Sequence, residues 1–363
     1  MKEDKLSASN VPVAVWLLGG VLMIIVQVLL GGITRLTGSG LSITEWKPLL
    51  GALPPLNEHD WQAAFSGYQK IAQFKKLNYN FTLADFQFIY FWEWFHRLWA
   101  RLLGVVFLVP FVIFLIQGRF KKEMIKPLVI LFLLGGLQGL IGWLMVSTGL
   151  NDQNLYVTHF SQAIHFLSAM ILLVYTFWFA LDLLIDEKSL LSDKKLFNFT
   201  IGIIALLVIQ LIYGAFMAGL KAAPFAATWP DINGAIIPSN MGDFNGRHLS
   251  FFSALVNNPI TVHFIHRGLA YVIFILILIW TFKARSIDKL GFFSKIIWLP
   301  LGIVLLQVFL GIMTVLNSYK AIPQGWGVFE WYAQLHQLVA MFLLMALVLV
   351  VKVLSTKQNI AIK

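Results

Sequence analysis

Four histidines stand near the beginnings of long apolar segments, and their spacing suggests one site built twice. His266 follows His96 by 170 positions, and His336 follows His165 by 171. Imidazole nitrogen binds iron well, and two imidazoles that face each other inside a helical bundle suit a six-coordinate haem iron. A single histidine near a helix end is more often an interfacial side chain with a hydrogen-bond partner. Four in repeat register favour a metal or haem role, because ionisable groups within apolar segments are costly and usually functional.

An arginine directly follows two of these histidines. Arg97 follows His96, and Arg267 follows His266. A guanidinium can bind a haem propionate through forked, charge-assisted hydrogen bonds, so both arginines are candidate cofactor-binding residues. The alternative is that each side chain extends toward the membrane interface and keeps its charge in water.

A carboxylate distinguishes the two halves of the chain. Glu93 lies three residues before His96 and shares its helical face, whereas the equivalent residue before His266 is His263. A carboxylate beside only one histidine pair could accept a proton or stabilise positive charge at a reacting carbon. The alternative is a solvated carboxylate at the interface. We therefore treat Glu93, His96 and His165 as the candidate catalytic set.

The remaining histidines are weaker candidates. His159 precedes His165 by six residues, which places it off that face, and Glu330 occupies the equivalent position in the second half. We interpret His159 as a candidate to contact a metal-binding histidine without binding the metal itself. His59 and His248 fall in long connections, and we expect water to surround them.

Composition indicates the class of protein that carries these residues. The 363-residue chain is 59% hydrophobic and 12% charged, against about 25% charged residues in soluble domains. An integral membrane protein is therefore predicted. The chain contains no cysteine, which excludes disulfides, thiolate metal sites and covalent haem attachment through Cys-x-x-Cys-His.

Eight apolar segments are each long enough to cross a membrane, for which about 18 residues suffice. The first is long for a signal peptide, and no small-residue cleavage site follows it cleanly, so we interpret it as a spanning helix. The predicted helices lie at about 14–33, 94–117, 125–147, 160–184, 197–220, 262–283, 293–316 and 331–354.

Most lysines and arginines fall in the connections and termini on one side of these helices. Basic clusters occupy positions 119–126, 188–195 and 283–295, whereas the short connection at 151–152 has no Lys or Arg. The positive-inside rule then places both termini in the cytoplasm and all four paired histidines near the outer face. Because this distribution explains most of the formal charge of +10, a nucleic-acid partner is not favoured.

The first long outer connection, residues 35–93, contains an apolar stripe with helical spacing. The stripe predicts an amphipathic helix that either lies on the membrane surface or packs on the rest of the connection. Thr82, with Asp85 three residues later, resembles a helix start, so we expect the second spanning helix to begin outside the membrane. The members of the stripe are Trp61, Phe65, Tyr68 and Ile71.

The two halves resemble each other beyond the histidines. Corresponding pairs are Gln27 and Gln210, Gly31 and Gly214, Trp46 and Trp229, Gly51 and Gly234, Pro55 and Pro238, Gln138 and Gln307, and Gly142 and Gly311. Because four helices per repeat is an even number, both repeats start on the same side of the membrane and are parallel. We predict an all-α polytopic membrane protein with two four-helix bundles, residues 1–190 and 191–363.

Several motifs together resemble the heme A synthase family, from about residue 15 to 350. They are Gly-Gly-Ile-Thr-Arg-Leu-Thr-Gly-Ser-Gly-Leu-Ser at 31–42, Trp46-Lys47-Pro48, Glu93-x-x-His96-Arg97 with Arg101, Gln138-Gly139-x-x-Gly142-Trp143-x-Met145, and His266-Arg267. The resemblance implies that successive hydroxylations turn the C8 methyl group of heme O into the formyl group of heme A, which then goes to haem-copper terminal oxidases. The chain is similar to the cysteine-free subgroup, closer to the mitochondrial and proteobacterial type, which rules out a thiol-based electron relay.

The resemblance also implies different roles for the two histidine pairs. His266 and His336 would hold a permanent heme b. His96 and His165 would flank the substrate, heme O, with Glu93 at the reaction centre. Expected partners are an unidentified electron acceptor and, further, heme O synthase and terminal oxidase assembly factors.

Two other functions compete with this one. A non-catalytic di-haem b-type cytochrome would transfer electrons from quinol, but a carboxylate on only one side argues against it. A transporter could carry haem unchanged, but paired axial ligands would hold haem too firmly for simple transit. The lack of an Arg-rich, amphipathic leader favours a bacterial inner membrane over a mitochondrion.

Overall fold

The computed structural model describes residues 10–45, 50–287, 291–323 and 325–355. Trp46, Lys47 and Pro48 of the motifs named above lie outside these residues, as does the basic tail after position 355. Within them the α-helices are α1 Val11–Leu36, α2 Glu58–Tyr68, α3 Ala72–Lys76, α4 Leu83–Ile116, α5 Lys122–Ser147, α6 His159–Leu184, α7 Lys194–Gly219, α8 Phe251–Asn257, α9 Pro259–Ala284, α10 Phe292–Ile296, α11 Leu299–Leu316 and α12 Val328–Leu354. The two short strands β1 Asp243–Phe244 and β2 Arg247–His248 pair antiparallel.

Eight of these segments, with α10 and α11 counted as one, are long and apolar enough to cross a membrane. The protein is an integral, multi-pass membrane protein, and the predicted all-α fold is confirmed. The observed ends agree with the predicted ends to within three residues, except at the start of α4.

The second spanning helix begins well before its apolar run. α4 starts at Leu83 because Thr82 caps it, with the Thr82 side chain accepting from the Asp85 N–H and the Asp85 carboxylate accepting from the Thr82 N–H. Its 34 residues make a rod of about 51 Å, longer than a hydrocarbon core of roughly 30 Å. The helix start predicted from Thr82 and Asp85 is confirmed, and its position outside the membrane stays a prediction.

The chain forms two compact units, each of which contains one histidine pair. Unit 1 consists of the described parts of Met1–Val21, Leu173–Tyr319 and Leu335–Lys363. Unit 2 consists of the described parts of Leu22–Leu172 and Lys320–Gln334. His266 and His336 belong to unit 1, and His96 and His165 belong to unit 2. The division into two bundles at residue 190 stays a prediction.

The core of unit 1 forms where α9 packs against α7 and α11. Trp280 of α9 is fully buried, and its indole N–H donates to the hydroxyl of Thr200 on α7 at 2.8 Å. A buried indole needs such a partner, since an unpaired polar group in an apolar interior is costly. In the same unit, Lys352 of α12 forms an ion pair with Asp182 of α6.

The apolar stripe of the first connection packs inward in unit 2. Phe65 and Tyr68 of α2 are buried against Phe86 and Ile89 of α4 and against Leu41. Ring centroids of Tyr68 and Phe86 lie 5.4 Å apart in a stacked arrangement. The stripe therefore packs on the connection and on α4, which decides between the two alternatives left open by the sequence.

Candidate functional site

The imidazoles of His266 on α9 and His336 on α12 face each other in unit 1. Their ring centroids lie 6.3 Å apart, and the ring planes are inclined by 77°. A metal–imidazole bond is about 2 Å long, so two such bonds to one ion put the ring centroids roughly 6 Å apart. The separation of the two rings therefore fits a single metal ion between them.

The corresponding pair in unit 2 is His96 on α4 and His165 on α6. The two side chains lie within electrostatic range of each other. All four paired histidines are half-buried, which is the exposure expected of side chains that line a site. The structure thus places the rings of His266 and His336 close together and puts His96 and His165 in the same unit.

A glutamine on the preceding spanning helix contacts each of the four histidines. The amide Nε2 of Gln27 lies 3.2 Å from His96 Nδ1, that of Gln138 lies 3.2 Å from His165 Nδ1, that of Gln210 lies 3.5 Å from His266 Nε2, and that of Gln307 lies 3.4 Å from His336 Nε2. In unit 2 the same amides also donate to the histidine backbone carbonyls, at 3.2 Å for His96 and 3.1 Å for His165. Sequence reasoning found these glutamines as repeat markers and missed their contacts.

A glycine lies four residues after each glutamine, one helical turn away, and faces the same imidazole. A β-carbon added at the glycine would lie 3.2 Å from Cε1 of His96 at Gly31, 2.8 Å from that of His165 at Gly142, 3.3 Å from that of His266 at Gly214, and 2.9 Å from that of His336 at Gly311. The ring edge therefore occupies the space that a larger residue would take.

Glu93 is buried and fully bonded in unit 2. Its Oε2 accepts from the Ser42 hydroxyl at 2.7 Å and from the Ile43 N–H at 2.8 Å, and its Oε1 accepts from Arg97 Nη2 at 2.6 Å. Only 2% of Glu93 is exposed, so the carboxylate is not solvated at an interface. Its negative charge is instead held by an arginine on its own helical face.

The motif at 31–42 places Ser42 and Ile43 at this carboxylate. α1 ends at Leu36, and Gly38 adopts the left-handed region at φ +67°. The Ser39 N–H then donates back to the Thr34 carbonyl at 2.8 Å, a helix-ending bond for which glycine is the favoured residue. The chain turns there, and the following residues reach Glu93.

Arg267 binds the connection between α7 and α9 in unit 1. Its Nη1 donates to the carbonyls of Thr228 and Asp231, each at 2.9 Å, and its Nη2 donates to that of Ala226 at 2.8 Å. Arg97 makes a similar bond in unit 2, from Nη2 to the Ile43 carbonyl at 3.2 Å. Each arginine therefore joins the connection that precedes its helix to the helix that carries a histidine.

The turn that receives Arg267 is itself ordered by Asp231. Its carboxylate accepts from the Gly234 N–H at 2.8 Å. This backbone hydrogen bond, with the Thr228 hydroxyl second, holds the pKa of Asp231 below its usual value. The carboxylate thus supports the turn whose carbonyls bind the guanidinium.

The other candidate residues have contacts or exposure of their own. His263 is fully buried, and its Nε2 lies 2.8 Å from the Ala222 carbonyl. Glu330 accepts from the N–H groups of Ile322 and Gly327, each at 2.9 Å, so it holds a connection in unit 2. His159 begins α6 with its ring against Phe160. The side chains of His59 and His248 are 93% and 82% exposed, which confirms the expected solvation.

The residues present fit haem in both units. Two imidazoles per site are the axial donor set of a six-coordinate haem iron. In unit 1 the Nδ1 of His266 and the Nε of Arg267 are buried without a hydrogen-bond partner among the residues that the structure describes. Buried polar atoms of this kind are usually satisfied in the complete molecule, so a polar ligand beside them is expected.

Comparison with known proteins gives the same family throughout. The family model for cytochrome oxidase assembly proteins, COX15-CtaA, matches residues 14–348. The heme A synthase of Flavobacterium johnsoniae is 39% identical over 93% of this chain and 96% of its own length. Those of Paramagnetospirillum magneticum and Bradyrhizobium diazoefficiens are each 38% identical, over 94% and 95% of this chain and 94% and 92% of their own lengths.

The chain belongs to the heme A synthase family. The family resemblance stated from the motifs is therefore confirmed, and the match covers both histidine pairs and the Glu93 motif. In this member of the family, unit 2 contains a carboxylate, Glu93, that is bonded to Arg97. At the equivalent position unit 1 contains the buried His263.

Proposed function

We propose that this protein is a heme A synthase, which oxidises the C8 methyl group of heme O to the formyl group of heme A. The observation that carries this function is a buried carboxylate, Glu93, beside only one of two histidine pairs. Membership of the family supports the same activity. A di-haem cytochrome that only transfers electrons is not favoured, because the relatives reported above are named heme A synthases.

His266 and His336 are proposed to hold heme b. When bound, heme b supplies an acceptor for the electrons that leave the methyl group. His266 and His336 would hold its iron through their imidazole nitrogens, a donor set that suits electron transfer. Support comes from the 6.3 Å between the ring centroids.

His96 and His165 are proposed to bind and orient heme O, with Glu93 as the charged group at the reaction centre. A buried anion stabilises positive charge that develops nearby far better than a solvated one does. Arg97 and the donors of Ser42 and Ile43 hold this anion in one position. Glu93, His96 and His165 therefore form the proposed catalytic set.

Arg97 and Arg267 are proposed to lie beside the haem propionates in addition to binding the outer connections. The Nε of Arg267 supports this role, since it is buried and lacks a partner in the part of the chain that is described. Arg97 already engages Glu93 through Nη2. Its proposed main task is therefore to position the carboxylate.

We place the protein in the cell membrane of a bacterium, with both termini in the cytoplasm and the haem sites toward the outer face. The basic residues support this orientation under the positive-inside rule. Arg119 and Lys121 follow α4, and Lys188 follows α6, on the side opposite to the histidines. The proposed partners are a heme O synthase that supplies the substrate, the assembly factors of a terminal oxidase and an electron acceptor.

The test is to express the chain in a bacterium that makes heme O and lacks a heme A synthase, and to identify the extracted haems by mass. We expect a formyl haem with the wild-type chain and none with an empty vector. If the extract contains only heme O and heme b while the full-length protein is present in the membrane, the protein is an electron-transfer cytochrome instead.

A further inference from the structure

The four histidines share one local environment, although they lie on four different helices. In each case the preceding spanning helix presents a glutamine and, one turn later, a glycine to the imidazole. We call each glutamine–glycine pair a histidine seat. We propose that the four seats position the haem ligands, with the glycine setting where the ring edge lies and the glutamine setting the ring's rotation. This inference rests on the proposed function only in taking the metal as haem iron.

The glycine half of the seat acts by close approach. Real β-carbons essentially never come within 3.0 Å of another heavy atom, and the added carbon would lie at 2.8 Å from His165 at Gly142 and at 2.9 Å from His336 at Gly311. A single methyl group there must move the imidazole, since the ring has only its two side-chain torsions with which to give way. The position of the imidazole therefore depends on the absence of a side chain at the glycine.

The seats also differ in a regular way. At Gly31 and Gly214 the added carbon would lie 3.2 Å and 3.3 Å from the ring, a distance that a small shift can relieve. In each unit the seat is tight for the histidine that comes second along the chain. It is looser for the histidine that comes first. The tight seats belong to α5 and α11, and the looser ones to α1 and α7.

The glutamine half of the seat acts by hydrogen bonding. An imidazole that binds a metal normally has its other nitrogen or its ring orientation fixed by a polar neighbour, and loss of that neighbour costs about 10- to 100-fold in metal affinity. In unit 2 the amides of Gln27 and Gln138 reach both Nδ1 and the backbone carbonyl of their histidines. In unit 1 the Nδ1 of His336 contacts the Gln307 backbone carbonyl at 3.1 Å, and the Gln307 side chain lies at the other ring nitrogen.

The experiment compares glycine substitutions on the same helix, in the full-length protein purified in detergent. Gly311→Ala fills a tight seat of the resident haem, and Gly302→Ala is its control, because a β-carbon at Gly302 meets nothing within 4 Å. Haem per protein, the absorption spectrum and the low-spin electron paramagnetic resonance signal are measured, together with thermal unfolding. We expect Gly311→Ala to lower haem affinity about tenfold and to shift the resonance signal, and Gly302→Ala to leave both unchanged.

Two further variants keep the inference testable if Gly311→Ala fails to fold. Gly214→Ala, at a looser seat, is expected to lower haem affinity less than Gly311→Ala does. Gln307→Leu should shift the resonance signal and the reduction potential while thermal unfolding stays close to wild type. Unchanged spectra and haem content in Gly214→Ala and Gln307→Leu would overturn the inference.

The outcome is independent of the catalytic assay. If the wild-type chain binds haem but forms no heme A, the seats are still tested by the spectra, and only the proposed function falls. If the wild-type chain forms heme A and the seat variants bind haem normally, the proposed function stands and the seats are rejected.

Discussion

Arg97 donates a hydrogen bond to Glu93 across one turn of α4, with 2.6 Å between Nη2 and Oε1. In unit 1 the residue one turn before Arg267 is His263, and Arg267 binds three backbone carbonyls of the outer connection instead. The two units therefore use the same His-Arg sequence with different partners. The difference concentrates a buried negative charge in unit 2, where the substrate is proposed to bind.

Glu93→Gln should leave haem binding in unit 1 intact and slow heme A formation by roughly a hundredfold, because a neutral amide cannot stabilise developing positive charge. The amide can still accept from Ser42 and Ile43, so the local fold should persist. Heme A per cell, normalised to protein in the membrane, measures the effect. Ser42→Ala removes one donor to the carboxylate and keeps the charge, so it is expected to slow heme A formation much less than Glu93→Gln does. Normal heme A in Glu93→Gln would remove this carboxylate from the chemistry.

His336→Ala should release the resident haem, because one of two axial ligands is lost from a pair whose ring centroids lie 6.3 Å apart. We expect haem per protein from the unit 1 site to fall at least about tenfold. The absorption spectrum of the reduced, purified protein reports the change. His59→Ala, at a side chain that is 93% exposed, serves as the control. Full absorbance and full activity in His336→Ala would show that the ligand assignment is wrong.

Arg267→Ala should loosen the outer connection of unit 1. It removes three hydrogen bonds from a charged donor to the carbonyls of Ala226, Thr228 and Asp231, which is expected to cost about 3 kcal/mol of unfolding free energy. Thermal unfolding and protease cleavage between α7 and α9 measure the loss. Arg267→Lys should recover little, since an ammonium lacks the planar fork. Arg247→Ala, on the exposed strand β2, is the control and should leave cleavage unchanged.

Tyr68 should make the outer part of unit 2 sensitive to alkali. Burial raises the pKa of Tyr68 to about 12 from its ordinary value near 10. Because the unfolded chain loses this proton first, the contribution of Tyr68 to stability is complete below about pH 10 and declines between about pH 10 and 12. Unfolding free energy measured across this range should fall less steeply in Tyr68→Phe. An identical slope in both proteins would contradict the predicted coupling.

The membrane architecture followed from the sequence because length and apolarity decide it. Eight segments and most of their ends came from hydropathy alone, since lipid leaves the backbone few alternatives to the helix. The start of α4 at Leu83 came from the Thr82–Asp85 cap, a local signal. The packing of Tyr68 and Phe65 could not be decided in the same way, because an apolar stripe has the same spacing whether it faces lipid or protein.

The candidate site was predictable as a set of residues and only partly as a set of contacts. Repeat register brought out the four histidines, and the structure places the ring centroids of His266 and His336 6.3 Å apart. Opposite charges four residues apart predicted the contact between Arg97 and Glu93, but Arg97 was interpreted as a partner of a haem propionate. No pattern in the sequence predicted that Gln138 and Gln307 contact histidines. A repeat marks two residues as equivalent but does not show what they contact.

Each histidine and its seat lie on two consecutive spanning helices: α1 with α4, α5 with α6, α7 with α9, and α11 with α12. The smallest piece that contains a complete seat is therefore a pair of consecutive spanning helices with one ligand. A gene encoding such a pair could be copied and joined repeatedly without dismantling any seat, and two copies would together supply both ligands of one iron. Later change in one copy, such as the exchange of a carboxylate for an imidazole one turn earlier, would then leave the seats of the other copies unchanged.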